Sequence, residues 1–100
     1  KDLVLVSAFG KLELLDARTG ETVRAFTYPR DLRIIALSPD TQEVWVGDGS
    51  TLLVFAADEG SSFQLASTIE VGAPIEALRF SKGGDRLLVR TRDELVVMVE

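Results

Sequence analysis

Five carboxylates, Asp40, Glu43, Asp48, Asp58 and Glu59, are the residues most able to do chemistry in this chain. Two carboxyl groups at a suitable separation hydrolyse a glycosidic bond, one as acid and the other as base or nucleophile. Here each falls in a turn segment. The turns lie on different edges of the unit they belong to, and nothing in the spacing holds two of them together. GDGST, residues 47–51, opens like a calcium loop. Such a loop needs several oxygens at fixed spacing, and Asp48 stands alone until Asp58. A hairpin turn with Gly at positive φ accounts for the stretch. SKGGD, residues 81–85, lacks the Gly-x-x-x-x-Gly-Lys order and the following helix of a phosphate-binding loop. Asp16, Thr19 and Gly20 could be read as ligand groups. They suit a tight turn better: Asp and Thr bond nearby backbone N–H groups, and Gly takes the left-handed position.

The chain holds neither His nor Cys. That excludes a Cys or His zinc site, a disulfide framework, and catalysis by an in-chain imidazole or thiol. The expectation is no catalytic, metal-binding or cofactor-binding residue and no cofactor. The net charge of −5 argues against binding a phosphate backbone, because the basic residues are interspersed with Asp and Glu rather than clustered on one face. No apolar run approaches the roughly 20 residues that span a bilayer. The opening KDLVLVSAFG is too short in its apolar part for a signal peptide and reads as a strand. Neither nucleic acid nor membrane is therefore expected as a partner.

The elements that position these residues are strands. With 100 residues, 46% of them apolar, the chain can build a modest core. Apolar residues come in clusters of four to six, rich in Val, Ile and Leu, separated by Gly, Asp, Ser, Pro and Thr. This pattern predicts ten strands, near 3–8, 12–16, 21–26, 32–37, 43–47, 51–56, 63–69, 75–80, 86–90 and 94–99.

Slid along itself, the sequence repeats. Residues 32–55 lie over 75–98 at a shift of 43 without a gap, which matches Ser38 to Ser81 and Trp45 to Leu88. Residues 3–16 lie over 43–56 at a shift of 40. The three-residue difference falls in the segments holding ETVRAF and SSFQLASTI. A unit of about 40 residues with four short strands has the size of a propeller blade. Strands such as TLLVFA and ELVVMV are apolar on both faces, as sheets packed between two neighbours must be.

These motifs resemble WD-repeat β-propellers. IIALSPDTQEVWVGDGSTLLVFAA and EALRFSKGGDRLLVRTRDELVVMVE follow that family's order of apolar strand, Ser-Pro-Asp-Gly turn, short strand, Asp-Gly turn and closing strand. The repeats are degenerate. The Trp-Asp pair becomes Leu15-Asp16, Phe55-Ala56 and Met98-Val99, and without His the family's His–Ser–Asp–Trp network cannot form. Related propellers, quinoprotein-like and lactonase-like, share the Asp-x-x-Thr-Gly turn.

The resemblance implies an all-β fold of four-stranded antiparallel blades, a partial propeller of about two and a half units. In that scheme residues 1–26 are strands b, c and d of a first blade, 32–69 a complete second blade, and 75–99 strands a, b and c of a third. It further implies a segment of a larger propeller, at its C-terminal end, because that family's last blade borrows its outer strand from elsewhere. The implied function is a non-catalytic scaffold for protein partners, in an intracellular setting. The alternatives are a piece of a related propeller enzyme, whose site lies mostly outside this chain, and a fragment that assembles with itself. The expected partners are other proteins or the remaining blades, or a second copy if the chain is complete. Tyr28, Pro29 and Arg30 are the candidate partner-binding residues: they occupy a loop between an outer and an inner strand, and Tyr and Arg are enriched at binding hot spots. Trp45 is expected in the core between blades.

Overall fold

The computed structural model describes residues 3–8, 10–28, 32–60 and 62–99. They form ten strands: β1 (Leu3–Ala8), β2 (Lys11–Asp16), β3 (Thr22–Thr27), β4 (Ile34–Leu37), β5 (Glu43–Asp48), β6 (Thr51–Ala57), β7 (Phe63–Glu70), β8 (Ile75–Phe80), β9 (Arg86–Thr91) and β10 (Leu95–Val99). No helix occurs among the described residues, so none is long and apolar enough to cross a membrane. The strands make three antiparallel sheets in the orders β1-β2-β3, β4-β5-β6-β7 and β8-β9-β10.

Local chemistry sets the turns. The β5–β6 hairpin closes on the Asp48–Thr51 pair, with Gly49 at φ 63° in the two-residue loop. After β2, the Asp16 carboxylate accepts from the Arg18 N–H at 2.8 Å and the Thr19 hydroxyl from the Glu21 N–H at 3.2 Å, with Gly20 at φ 77°. Asp16, Thr19 and Gly20 thus serve the turn.

The two faces of the middle sheet bury different side chains, because successive strand residues point opposite ways. Val44, Val46, Leu53 and Phe55 face the first sheet and pack with Leu12 and Leu14 of β2. Trp45, Leu52 and Val54 face the third sheet and pack with Ile75, Leu87 and Val89. This arrangement is why β5 and β6 are apolar without alternation. Each fully buried Val or Leu contributes on the order of 1.5–3 kcal/mol. In the second joint the sheets approach so closely that a Cβ on Gly47 would lie 2.8 Å from Cγ2 of Ile75.

The internal repeat extends to single hydrogen bonds. The Ser38 hydroxyl accepts from the Glu43 N–H at 3.0 Å, and the Ser81 hydroxyl from the Arg86 N–H at 3.2 Å. The Thr41 N–H donates to the Ser38 carbonyl, as the Gly84 N–H does to that of Ser81. Thr41 and Gly84 occupy the same left-handed position, at φ 62° and 80°. Bulges repeat as well. The pairings Leu14–Arg24 and Leu15–Thr22 leave Val23 extra, and Val54–Ser67 and Phe55–Leu65 leave Ala66 extra. The second bulge reverses the alternation along β7. Leu65 pairs beside Phe55 on the first joint's side, whereas Ile69 pairs beside Leu52 and packs in the second joint.

Candidate interaction groove

Where β3 and β7 meet at the outer side of the first joint, the sheets part into an open groove of about 560 Å³. Its floor is aromatic. Phe26 of β3 lies 4.5 Å, centroid to centroid, from Phe55 and 5.6 Å from Phe63. Tyr28 meets Phe55 edge-on at 5.8 Å. Phe55 and Phe63 are buried, Phe26 and Tyr28 half-buried, and Leu65 on the β7 wall is 50% exposed. Lys11, at the start of β2, is the charged residue among the lining side chains.

Arg24 holds the joint together beside this groove. Its guanidinium Nη1 donates to the carbonyls of Asp58, Gly60 and Ser62 at 3.1, 2.9 and 2.9 Å. It also lies 3.5 Å from the Asp58 carboxylate, with Cζ 5.7 Å from the centre of the Phe63 ring. The Asp58 carboxylate in turn accepts from the Gly60 and Ser62 N–H groups. Asp58, one of the five acidic candidates, is therefore bound into a structural clamp.

The remaining carboxylates sit as follows. Asp40 and Glu43 share a polar cleft of about 150 Å³ with Ser38 and the Gly83–Gly84 turn. Sequence spacing had given no reason to place two of the five together; the 38–42 turn does so by folding back on itself. Each is already engaged, Asp40 by the Ser38 hydroxyl at 2.6 Å and Glu43 by the Trp45 indole N–H at 3.0 Å. The bonds from Ser38 and the Gln42 N–H hold the Asp40 carboxyl below its ordinary value. Glu70 is lowered in the same way, by Ser50, Thr51 and the Gly72 N–H. Glu59 is exposed, and Asp48 closes the β5–β6 hairpin. Among the described residues no three Asp or Glu come close enough to hold a metal ion.

Of the loop expected to meet partners, Tyr28 is described and its neighbours Pro29 and Arg30 lie outside the described residues. Tyr28 does not stand free at a loop tip. Its backbone N–H donates to the Gly10 carbonyl and its ring closes one end of the aromatic floor. Trp45 lies buried in the second joint, edge-on to Phe80 at 6.0 Å. Sequence spacing alone does not show the groove, because its two walls come from strands 36 or more positions apart that no local period connects. Phe26, Phe55 and Phe63 could have been picked out as aromatic, though not as neighbours.

Solved structures place this architecture. Aligned over 98% of this chain is a chain of the mitotic checkpoint complex, at 17% identity and a TM-score of 0.76. The β-propeller domain of Cps50 (Swd1) from Myceliophteria thermophila aligns over the same share, at 20% identity and a TM-score of 0.68. The fold is part of a β-propeller. The chain spans about a third of each of those chains, 32% and 34%. No family model matches it, and no curated protein does. The all-β partial propeller implied by the WD-repeat resemblance is thus the architecture found. The groove lies where the outer strands of two adjoining propeller sheets face each other.

Proposed function

We propose that this chain is a segment of a larger propeller that serves as a non-catalytic scaffold for protein partners. The first sheet is strands b, c and d of one blade, the middle sheet a whole blade, and the third the strands a-b-c of the next. The observation that carries this reading is the outer face of the first sheet. Val4 and Val6 are 46% and 38% exposed there. In the repeat they correspond to Val44 and Val46, which are fully buried against a neighbouring sheet. An apolar face of this kind expects another blade. In the same reading the open edge of β10 takes a fourth strand from another segment.

The mitotic checkpoint assembly among the similar structures supports a role within complexes. So does the engagement of the acidic side chains in turns and clamps, which leaves loops and grooves as the surfaces for recognition. The loop at Tyr28, Pro29 and Arg30 is the proposed partner surface. The test is quantitative affinity purification of the intact protein carrying Arg30→Glu, with circular dichroism as the folding control. Selective loss of particular partners at unchanged fold is expected. An unchanged partner set would refute the loop assignment, and turnover of a substrate by the intact protein would refute the scaffold.

A further inference from the structure

β7 ends the middle sheet, and among the described residues no strand lies beside its outer edge. Natural sheets guard such edges with charge or Pro, since exposed N–H and C=O groups recruit other strands. FQLASTI, residues 63–69, holds no charged residue, no Pro and no Gly. The outer strand of the first sheet, β3, differs: it carries Arg24, committed to the clamp. The bulge at Ala66 bends β7 but leaves the stretch Phe63–Leu65 lying along the aromatic groove. An unguarded edge therefore adjoins an apolar trough, and both belong to the joint between two sheets.

The charge of the trough names its occupant. Lys11 is the charged lining residue; its side chain is 55% exposed, and its 3.7 Å pair with Glu13 is of the exposed kind that holds an ammonium weakly. Among the described residues no carboxylate lines the groove. The chain as a whole is acidic, so an acidic ligand is repelled elsewhere and favoured here. Resting on the scaffold reading, we infer that the β3–β7 groove takes an extended, acidic-ended peptide segment of a partner protein. The segment adds as a strand to the Phe63–Leu65 edge. It sets an apolar side chain over Phe26 and Phe63 and a carboxylate against Lys11. Main-chain bonds supply affinity in such strand addition, and the pockets between alternate side chains supply selection.

The test measures fluorescence anisotropy of two labelled probe peptides on the full chain. Both alternate Phe or Ile with Thr; one ends in two Asp and the other in two Lys. The Asp-ended probe is expected to bind more tightly. Lys11→Glu should reverse that order, and Leu65→Asp, at an exposed position, should weaken both probes by about tenfold or more. Equal affinity for the two probes, unmoved by Lys11→Glu, would overturn the inference. So would light scattering that shows a dimer dissociated by Leu65→Asp, which would make a second copy the occupant. Probe binding is read through Lys11→Glu and Leu65→Asp and partner loss through Arg30→Glu, so failure here and failure of the scaffold reading are separately visible.

Discussion

The guanidinium of Arg24 donates to the carbonyl of Ser62 at 2.9 Å, across the joint between the first and middle sheets. The loop it grips, Asp58–Ser62, belongs to the hairpin in which the middle repeat is three residues longer than the first. The insertion thus supplies the carbonyls that Arg24 needs, and a difference between repeats becomes an inter-sheet clamp. Removing the donor takes a bond from the half-buried carbonyls of Asp58 and Ser62, the second of which still accepts from the Asp58 N–H, at a cost of about 1 kcal/mol. Arg24→Ala should lower the urea midpoint accordingly and speed amide exchange in 58–62. Arg24→Lys should recover only part of the loss: an ammonium can take up the carbonyl bonds, which all come from Nη1, but not the contact of the flat guanidinium with the Phe63 ring. Equal midpoints for Arg24→Ala and the parent would show that the clamp contributes nothing.

Thr41 sits at φ 62° where the next repeat has Gly84. A Cβ in the left-handed region costs about 1–2 kcal/mol, partly offset by the greater chain entropy that Gly loses on folding. Thr41→Gly should therefore stabilise the chain by up to about 1 kcal/mol. The converse, Gly84→Ala, should destabilise it, since the new Cβ would also lie 3.1 Å from Cγ of Pro39. Paired denaturation curves check both signs. Destabilisation by Thr41→Gly would mean that the Thr side chain contributes more than the backbone strain removes.

Gly47 marks the closest approach of the middle and third sheets. Adding one methyl forces Ile75 to move, and overpacking of this kind costs about 1–3 kcal/mol. Gly47→Ala should be destabilising, and so should Ile75→Ala, by leaving a cavity. The double variant should lose less than the sum of the two, because the second change removes Cγ2, the nearest clashing atom. A double-mutant cycle measures this coupling, and strict additivity would count against the close approach.

The strand order was legible because the two-sided apolar clusters and the Gly, Asp and Pro turns recur at one spacing. Observed strand limits differ from the expected ones by two residues at most, the largest shift being β4, which starts at Ile34 rather than 32. Leu32 keeps its core place without joining the ladder: it is buried, and the Ser7 hydroxyl donates to its carbonyl. Side-chain relationships between repeats were much less legible. Nothing in the sequence joins Arg24 to the longer β6–β7 hairpin that reaches it. Tyr28 reads as a loop residue until its ring is set against Phe55. In both cases the partner lies more than 25 positions away, beyond the reach of any period of two or 3.6 residues, and depends on how sheets stack rather than on how strands form.

Acid should loosen the chain at two turns. Asp40 and Glu70 are both lowered from ordinary values of 3.8 and 4.5, by bonds from Ser38 and Gln42 and from Ser50, Thr51 and Gly72. A carboxylate with a depressed folded value favours the folded state above its unfolded value. That contribution fades as pH falls through the unfolded value and is gone below the folded one. The urea midpoint should therefore decline below about pH 4.5, first through Glu70 and then through Asp40. Asp40→Asn and Glu70→Gln should each flatten the decline while leaving the pH 7 curve lower than the parent's. Because both groups are well exposed, added salt leaves the hydrogen-bonded part of the effect and screens the rest. Midpoints measured from about pH 6 to about pH 3 decide the matter: a slope unaltered in both variants would place the acid sensitivity elsewhere in the chain.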